Sequence, residues 1–156
     1  MFKNMMALTL TLGISLGIPQ VHAALSLGAT RIIIDGQSSN SVEVINSSTA
    51  RYGVQSWVED GAGKDPGRAL VVTPSFQAID GKQKAVLRLL SFEPVQQKEL
   101  LYYLNVQEIP PKLQDKSVNH LSLAVRTRIK VLIRPAALNG QRKQAEDKIE
   151  IARTPT

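Results

Sequence analysis

The sequence predicts an all-β chain, an antiparallel β-sandwich of immunoglobulin-like type with about seven strands. Three observations carry this reading. Apolar and polar residues alternate in short runs bounded by Gly, Pro, Asn and Asp, no helical period is present, and the single tryptophan, Trp57, falls on the third run. The 156 residues include no cysteine, so the sandwich must be closed by strand packing without disulfides.

Residues 1–23 read as a secretory leader. Lys3 precedes an uncharged apolar stretch from Met5 to about Ile18, and Val21-His22-Ala23 forms a small-residue cleavage pattern. The stretch is too short for a membrane span, which needs about 20 residues. The mature chain is expected to begin at Ala24, to comprise 133 of the 156 residues, and to be soluble outside the inner membrane without inserting into it. Loss of Lys3 lowers the formal charge from +6 to +5, so the mature chain stays basic.

The strands follow in order. Leu25 to Ile34 is extended and ends at the turn dipeptide Asp35-Gly36; Ser41 to Asn46 alternates Val42 and Val44 with polar neighbours; Tyr52 to Glu59 carries Val54, Trp57 and Val58. Trp57 is expected to lie between the sheets. Residues 60–68, DGAGKDPGR, form a Gly- and Pro-rich loop. Ala69 to Thr73, Ala85 to Leu90 and Leu100 to Ile109 are further strands, separated by Asp80-Gly81 and Glu93-Pro94. After Arg134-Pro135 the chain turns polar. Pro135 to Asp147 is read as a linker and Lys148 to Thr156 as a stub in which Lys148 to Ala152 could begin a strand, so that 135–156 is the truncated start of a second domain and 24–134 the sandwich.

The seventh strand is the most informative. From Ser117 to Pro135, SVNHLSLAVRTRIKVLIRP, the apolar residues Leu121, Leu123 and Val125 alternate with polar or small ones, and Ile129, Val131 and Ile133 continue the comb. Such a comb can cover its own core or be offered to a protein that lacks a strand, and periodicity alone favours the first use. Lys130 is even-numbered and the comb is odd-numbered, so a regular strand would aim them at opposite faces; a bulge or strong twist between Arg126 and Arg128 would bring them together.

Several function classes are disfavoured. Export, 4% aromatics and scattered Lys and Arg argue against a nucleic-acid surface. His120 is the only histidine of the mature chain, and no His, Asp and Glu cluster has metal-ligand spacing, so the chain reads as neither an enzyme nor a cofactor protein. Gly61-Ala62-Gly63-Lys64 lacks the Gly and the Ser or Thr that a phosphate loop requires, since Val58 and Asp65 occupy those positions. Asn46-Ser47-Ser48 matches a glycosylation acceptor by pattern only.

Residues 24–138 resemble the N-terminal domain of the periplasmic chaperones that assemble pili by the chaperone and usher route. The resemblance is carried by LSLGATRIIIDG at 25–36, VQSWVED at 54–60, VVTPSFQAIDGKQKAVLRL at 71–89, LYYLNVQEIPP at 101–111 and LSLAVRTRIKVLIRPAAL at 121–138. Thr30-Arg31, Asn105-x-x-Glu108-Ile109-Pro110-Pro111 and Ile129-Lys130-x-x-x-Arg134-Pro135, in that order, make the match specific. Two departures stand out: Pro74-Ser75 replaces a pair of prolines, and Glu99-Leu100 replaces a Glu-Ser pair.

The resemblance implies a chaperone that binds pilus subunits by donating an edge β-strand, with an outer-membrane usher as second partner. It implies that Leu121, Leu123 and Val125 enter the subunit groove and that Arg31 and Lys130 anchor the subunit's terminal carboxylate. With these motifs beside it, strand donation becomes the favoured use of the comb. The family continues through a second sandwich, so a chain of this length is expected to have impaired activity or none. The alternative is a single-domain exported binding or adhesion module that does not donate a strand.

Overall fold

The computed structural model describes residues 23–35, 38–94, 97–112 and 123–138. Residues 1–22, 36–37, 95–96, 113–122 and 139–156 lie outside it, and with them most of the expected leader, Leu121, His120 and the strand stub expected from Lys148.

Among the described residues, nine strands form two sheets. They are β1 (Leu25–Leu27), β2 (Arg31–Asp35), β3 (Ser39–Asn46), β4 (Tyr52–Glu59), β5 (Leu70–Thr73), β6 (Phe76–Ile79), β7 (Lys84–Ser91), β8 (Leu100–Ile109) and β9 (Arg126–Arg134). One sheet has the order β1-β3-β7-β5 and the other β2-β9-β8-β4-β6. Every pairing is antiparallel except β2 with β9, which is parallel. Leu70, Leu87, Leu89, Val44, Leu104 and Val131 are fully enclosed between the sheets, which places the core midway along all the long strands.

The expected first strand is two. Leu25 is buried in odd-numbered phase, whereas Ile32 and Ile34 are buried in even-numbered phase. The change of phase marks the point, Gly28 to Thr30, where the chain leaves one sheet and enters the other. β6 is the second addition. Only Ile79 of its four residues is buried and Phe76 is exposed, so it carries no alternating signal; it is held by its pairing with Tyr52 to Gln55 of β4.

The seventh expected strand begins later than anticipated, at Arg126, although the Glu108 amide still donates to the Val125 carbonyl at 2.9 Å. β9 pairs with β8 one residue to one from Arg126–Gln107 to Ile133–Leu100. No bulge interrupts Arg126 to Arg128, so the buried Ile129 and Val131 of the comb face the opposite side of the strand from Lys130.

Trp57 is also displaced from its expected position. Val54, Ser56 and Val58 take the inward positions of β4, which leaves Trp57 half-buried on the outer face. Asn46 is 1% exposed and consumed by structure: its Nδ2 donates to the carbonyls of Ala50 and Ile79, and its Oδ1 accepts from the amide and hydroxyl of Ser48. That buried, fully engaged amide is no acceptor for a glycan. The loop at 60–68 is a turn, with the Asp60 carboxylate accepting from the Ala62 and Lys64 amides and Gly63 at φ 78°.

Candidate functional site

Arg31 and Lys130 meet because β2 lies parallel against the second half of β9. They are direct register partners, both exposed, on the outer face of the five-stranded sheet. Ile32 on one strand and Ile129 and Val131 on the other point into the core, and this alternation obliges the two cations to point out. Thr30, Arg31, Arg128 and Lys130 line a hollow of about 560 Å³, together with Leu101 and Leu132. Glu99 also borders it, but its carboxylate accepts from Arg134 Nε at 2.7 Å.

The comb lies on the other side. Leu123 is 64% and Val125 40% exposed, while Ile129 and Val131, in the same phase, are buried. The physical difference is position along the strand: the inward phase finds the opposite sheet from Ile129 onward and runs out of it before Val125. Leu123 and Val125 are therefore not occupied at home, whereas the continuation of the comb is. Leu121 lies outside the described residues.

The open edge is equally localised. β2 covers β9 from Lys130 to Arg134, and β8 covers the other side from Arg126 to Ile133. β9, the strand that the resemblance offers for donation, is therefore an edge over part of its length only. Among the described residues, only the part before Lys130 has one edge free. Glu108 secures this end: its buried Oε1 accepts from the Leu25 amide at 2.9 Å while its own amide holds Val125. Asn105, three residues earlier, faces the outer side instead, so the two polar residues of the Asn-x-x-Glu motif serve opposite faces of β8.

Sequence reasoning missed a polar cluster beside the hollow. Glu59, at 15% side-chain exposure, accepts from Trp57 Nε1 at 2.8 Å and pairs with Arg126 at 3.2 Å and Arg128 at 3.5 Å. The Arg126 guanidinium sits 4.9 Å from the Trp57 ring centroid and donates to Asn105 Oδ1 at 2.7 Å, and that of Arg128 sits 3.9 Å from the Tyr103 ring. The Trp57 hydrogen bond, the Asn105 amide beside it and the two guanidinium charges hold the Glu59 carboxyl below its usual range, against the opposing effect of burial. The signal available was parity alone: Arg126, Arg128 and Lys130 share one face of β9, and Trp57 and Glu59 share one face of β4.

Comparison with known proteins places the fold and its site in context. The chain is 36% identical over 142 residues to the chaperone protein FocC of Escherichia coli, an alignment covering 87% of this chain and 62% of FocC. Across the curated relatives it matches, it spans from about half to two thirds of their length. Among solved structures, the E. coli chaperone DraB aligns with a TM-score of 0.65 and 34% identity, covering 79% of this chain and 60% of DraB. The Salmonella enterica SafB chaperone, solved in complex with SafA pilin, aligns with a TM-score of 0.70 at 22% identity, covering 86% of this chain and 65% of that one, a likeness of fold. The description "Pili and flagellar-assembly chaperone, PapD N-terminal domain" matches residues 24–139, which include both sheets, the Arg31–Lys130 pair and the exposed teeth, and the chain belongs to that family.

Proposed function

We propose that this protein is a periplasmic chaperone for pilus subunits, that it acts by lending the segment ending in β9 to a subunit lacking a strand, and that Arg31 and Lys130 bind the subunit's terminal carboxylate. The observation that carries this reading is the abrupt start of β2 at Arg31, opposite Lys130. A strand added to the open edge of β9 before Lys130 would lie end to end with β2. If it ran parallel to β9, its C-terminus would stop where β2 begins, against the two cations. A terminal carboxylate is a main-chain group in the plane of the sheet, so it can reach Arg31 and Lys130 while alternate side chains of the donor occupy the subunit groove.

The opposite facing of comb and cation then supports the reading. Leu121, Leu123 and Val125 would enter the groove, each contributing ~1.5 to 3 kcal/mol if fully buried, before association costs. Charge-assisted hydrogen bonds to the carboxylate, at ~1.5 to 3 kcal/mol each when shielded from water, would set the register. A subunit with an unfilled groove and unpaired backbone is prone to aggregate, and one added strand relieves both defects. The likeness to a chaperone solved with its pilin adds support of fold alone. An outer-membrane usher as second partner, and cleavage of the leader at Ala23, belong to the same proposal.

Co-expression with a candidate pilus subunit, followed by co-purification, tests it. The unaltered chain should recover soluble subunit, and Leu123→Glu and Lys130→Ala should each reduce recovery at least several-fold. Recovery that is absent throughout, or indifferent to both substitutions, would leave the module without strand donation as the better description.

A further inference from the structure

We infer that Arg128 is a third anion-binding residue of the hollow at Arg31 and Lys130, held ready by Tyr103 and Glu59; the inference rests on the carboxylate-binding reading given above. The argument begins with charge. Five cations lie on this part of the outer face: Arg31, Arg126, Arg128, Lys130 and Arg134. Arg134 is neutralised by Glu99 at 2.7 Å. Arg126 takes the larger share of Glu59, donating to both carboxylate oxygens at 3.2 and 3.3 Å and to Asn105 as well. Arg128 reaches the same carboxylate only at 3.5 Å, with its side chain 42% exposed. One carboxylate cannot neutralise two guanidinium groups, so a positive charge remains at Arg128. Among the described residues, Arg31 and Lys130 enter no ion pair. Arg31, Lys130 and Arg128, which shares Glu59 with Arg126, are therefore the cations that line the hollow, and Glu99 at its border is taken by Arg134.

Geometry makes Arg128 more than a bystander. Its guanidinium lies 3.9 Å from the centroid of Tyr103, a flat contact that limits its side-chain freedom without using its hydrogen-bond donors. The contact with Glu59, at 3.5 Å, is longer than those made by Arg126, and the Arg128 side chain is 42% exposed, so its remaining donors are open to another acceptor. An acidic group entering the hollow would find a planar donor fork at its rim, suited to binding a carboxylate through two parallel bonds. Glu59 then has a double effect: it orients Arg128 and competes for it.

The test uses a synthetic ten-residue peptide of alternating valine and threonine ending in a free carboxylate, together with its C-terminal amide twin. Binding is followed by backbone and arginine Nε–Hε NMR shifts at two salt concentrations. In the unaltered protein the free acid should bind more tightly than the amide, and the Arg128 Nε–Hε resonance should shift with the acid alone. Arg128→Gln should reduce the acid-to-amide affinity ratio about five-fold and flatten its salt dependence, with amide binding unchanged; Arg128→Lys should recover part of the ratio. Glu59→Gln, which removes the competitor, should raise the ratio two- to three-fold. An unchanged ratio in Arg128→Gln, beside a collapse in Arg31→Gln, overturns the role of Arg128 and leaves the carboxylate site standing. Equal binding of acid and amide by the unaltered protein overturns both.

Discussion

Individual residues here derive their roles from which face of a strand they occupy. Gly81 is the sharpest steric case: a Cβ there would stand 2.1 Å from the Thr49 carbonyl oxygen, a backbone atom that cannot swing aside. Asn46 makes that approach rigid by tying Ala50 and Ile79 together from within. Gly81→Ala should therefore destabilise the fold by about 1 to 3 kcal/mol, the usual range for overpacking, with a matching fall in the urea midpoint. Glu59 allows a prediction in pH. Its folded-state pKa is depressed, first by the Trp57 indole hydrogen bond, so its contribution to stability is fully present above the unfolded carboxylate value of about 4.3 and is lost as pH falls through the lower folded value. Because Trp57 is the only tryptophan, its fluorescence should titrate with an apparent midpoint below that of a free glutamate, and Glu59→Gln should abolish the transition.

At the scale of elements, β9 is divided by its neighbours. Its second half is enclosed by β2 and β8 and buries Val131; its approach, at Leu123 and Val125, extends past the core. Apolar residues of one phase therefore have opposite consequences when removed. Ile129→Ala, at a buried position of β9 in that phase, should cost about 2 to 5 kcal/mol in denaturant unfolding. Leu123→Ala should change stability by no more than about 0.5 kcal/mol while weakening subunit recovery. Equal stability losses would mean that Leu123 is packed in the home core after all. The division was only partly legible in the sequence. The 117–135 comb was evident from its period, but no residue in it announces where the opposite sheet ends.

For the molecule as a whole, association is governed by the edge of β9 before Lys130, which has no β2 partner among the described residues. Unpaired backbone beside exposed Leu123 and Val125 is a template for pairing with another chain, and the native defences of an edge, inward charge or proline, are missing at Leu123, Ala124 and Val125. The free protein should show concentration-dependent association in sedimentation experiments, suppressed by Leu123→Glu. Arg31→Gln, which leaves the teeth in place, should not suppress it.

The sequence by itself determined the all-β class, most strand positions and the alternation of the 117–135 comb, because alternation and turn residues are local properties of the chain. It left unseen the split of 25–34 into β1 and β2, the strand β6, the outward placement of Trp57 and the Glu59 cluster. Those depend on which strand lies beside which. The pairing of Arg31 with Lys130 is the clearest case: 99 positions apart in the chain, they become neighbours only through the parallel ladder of β2 and β9, which no local pattern encodes.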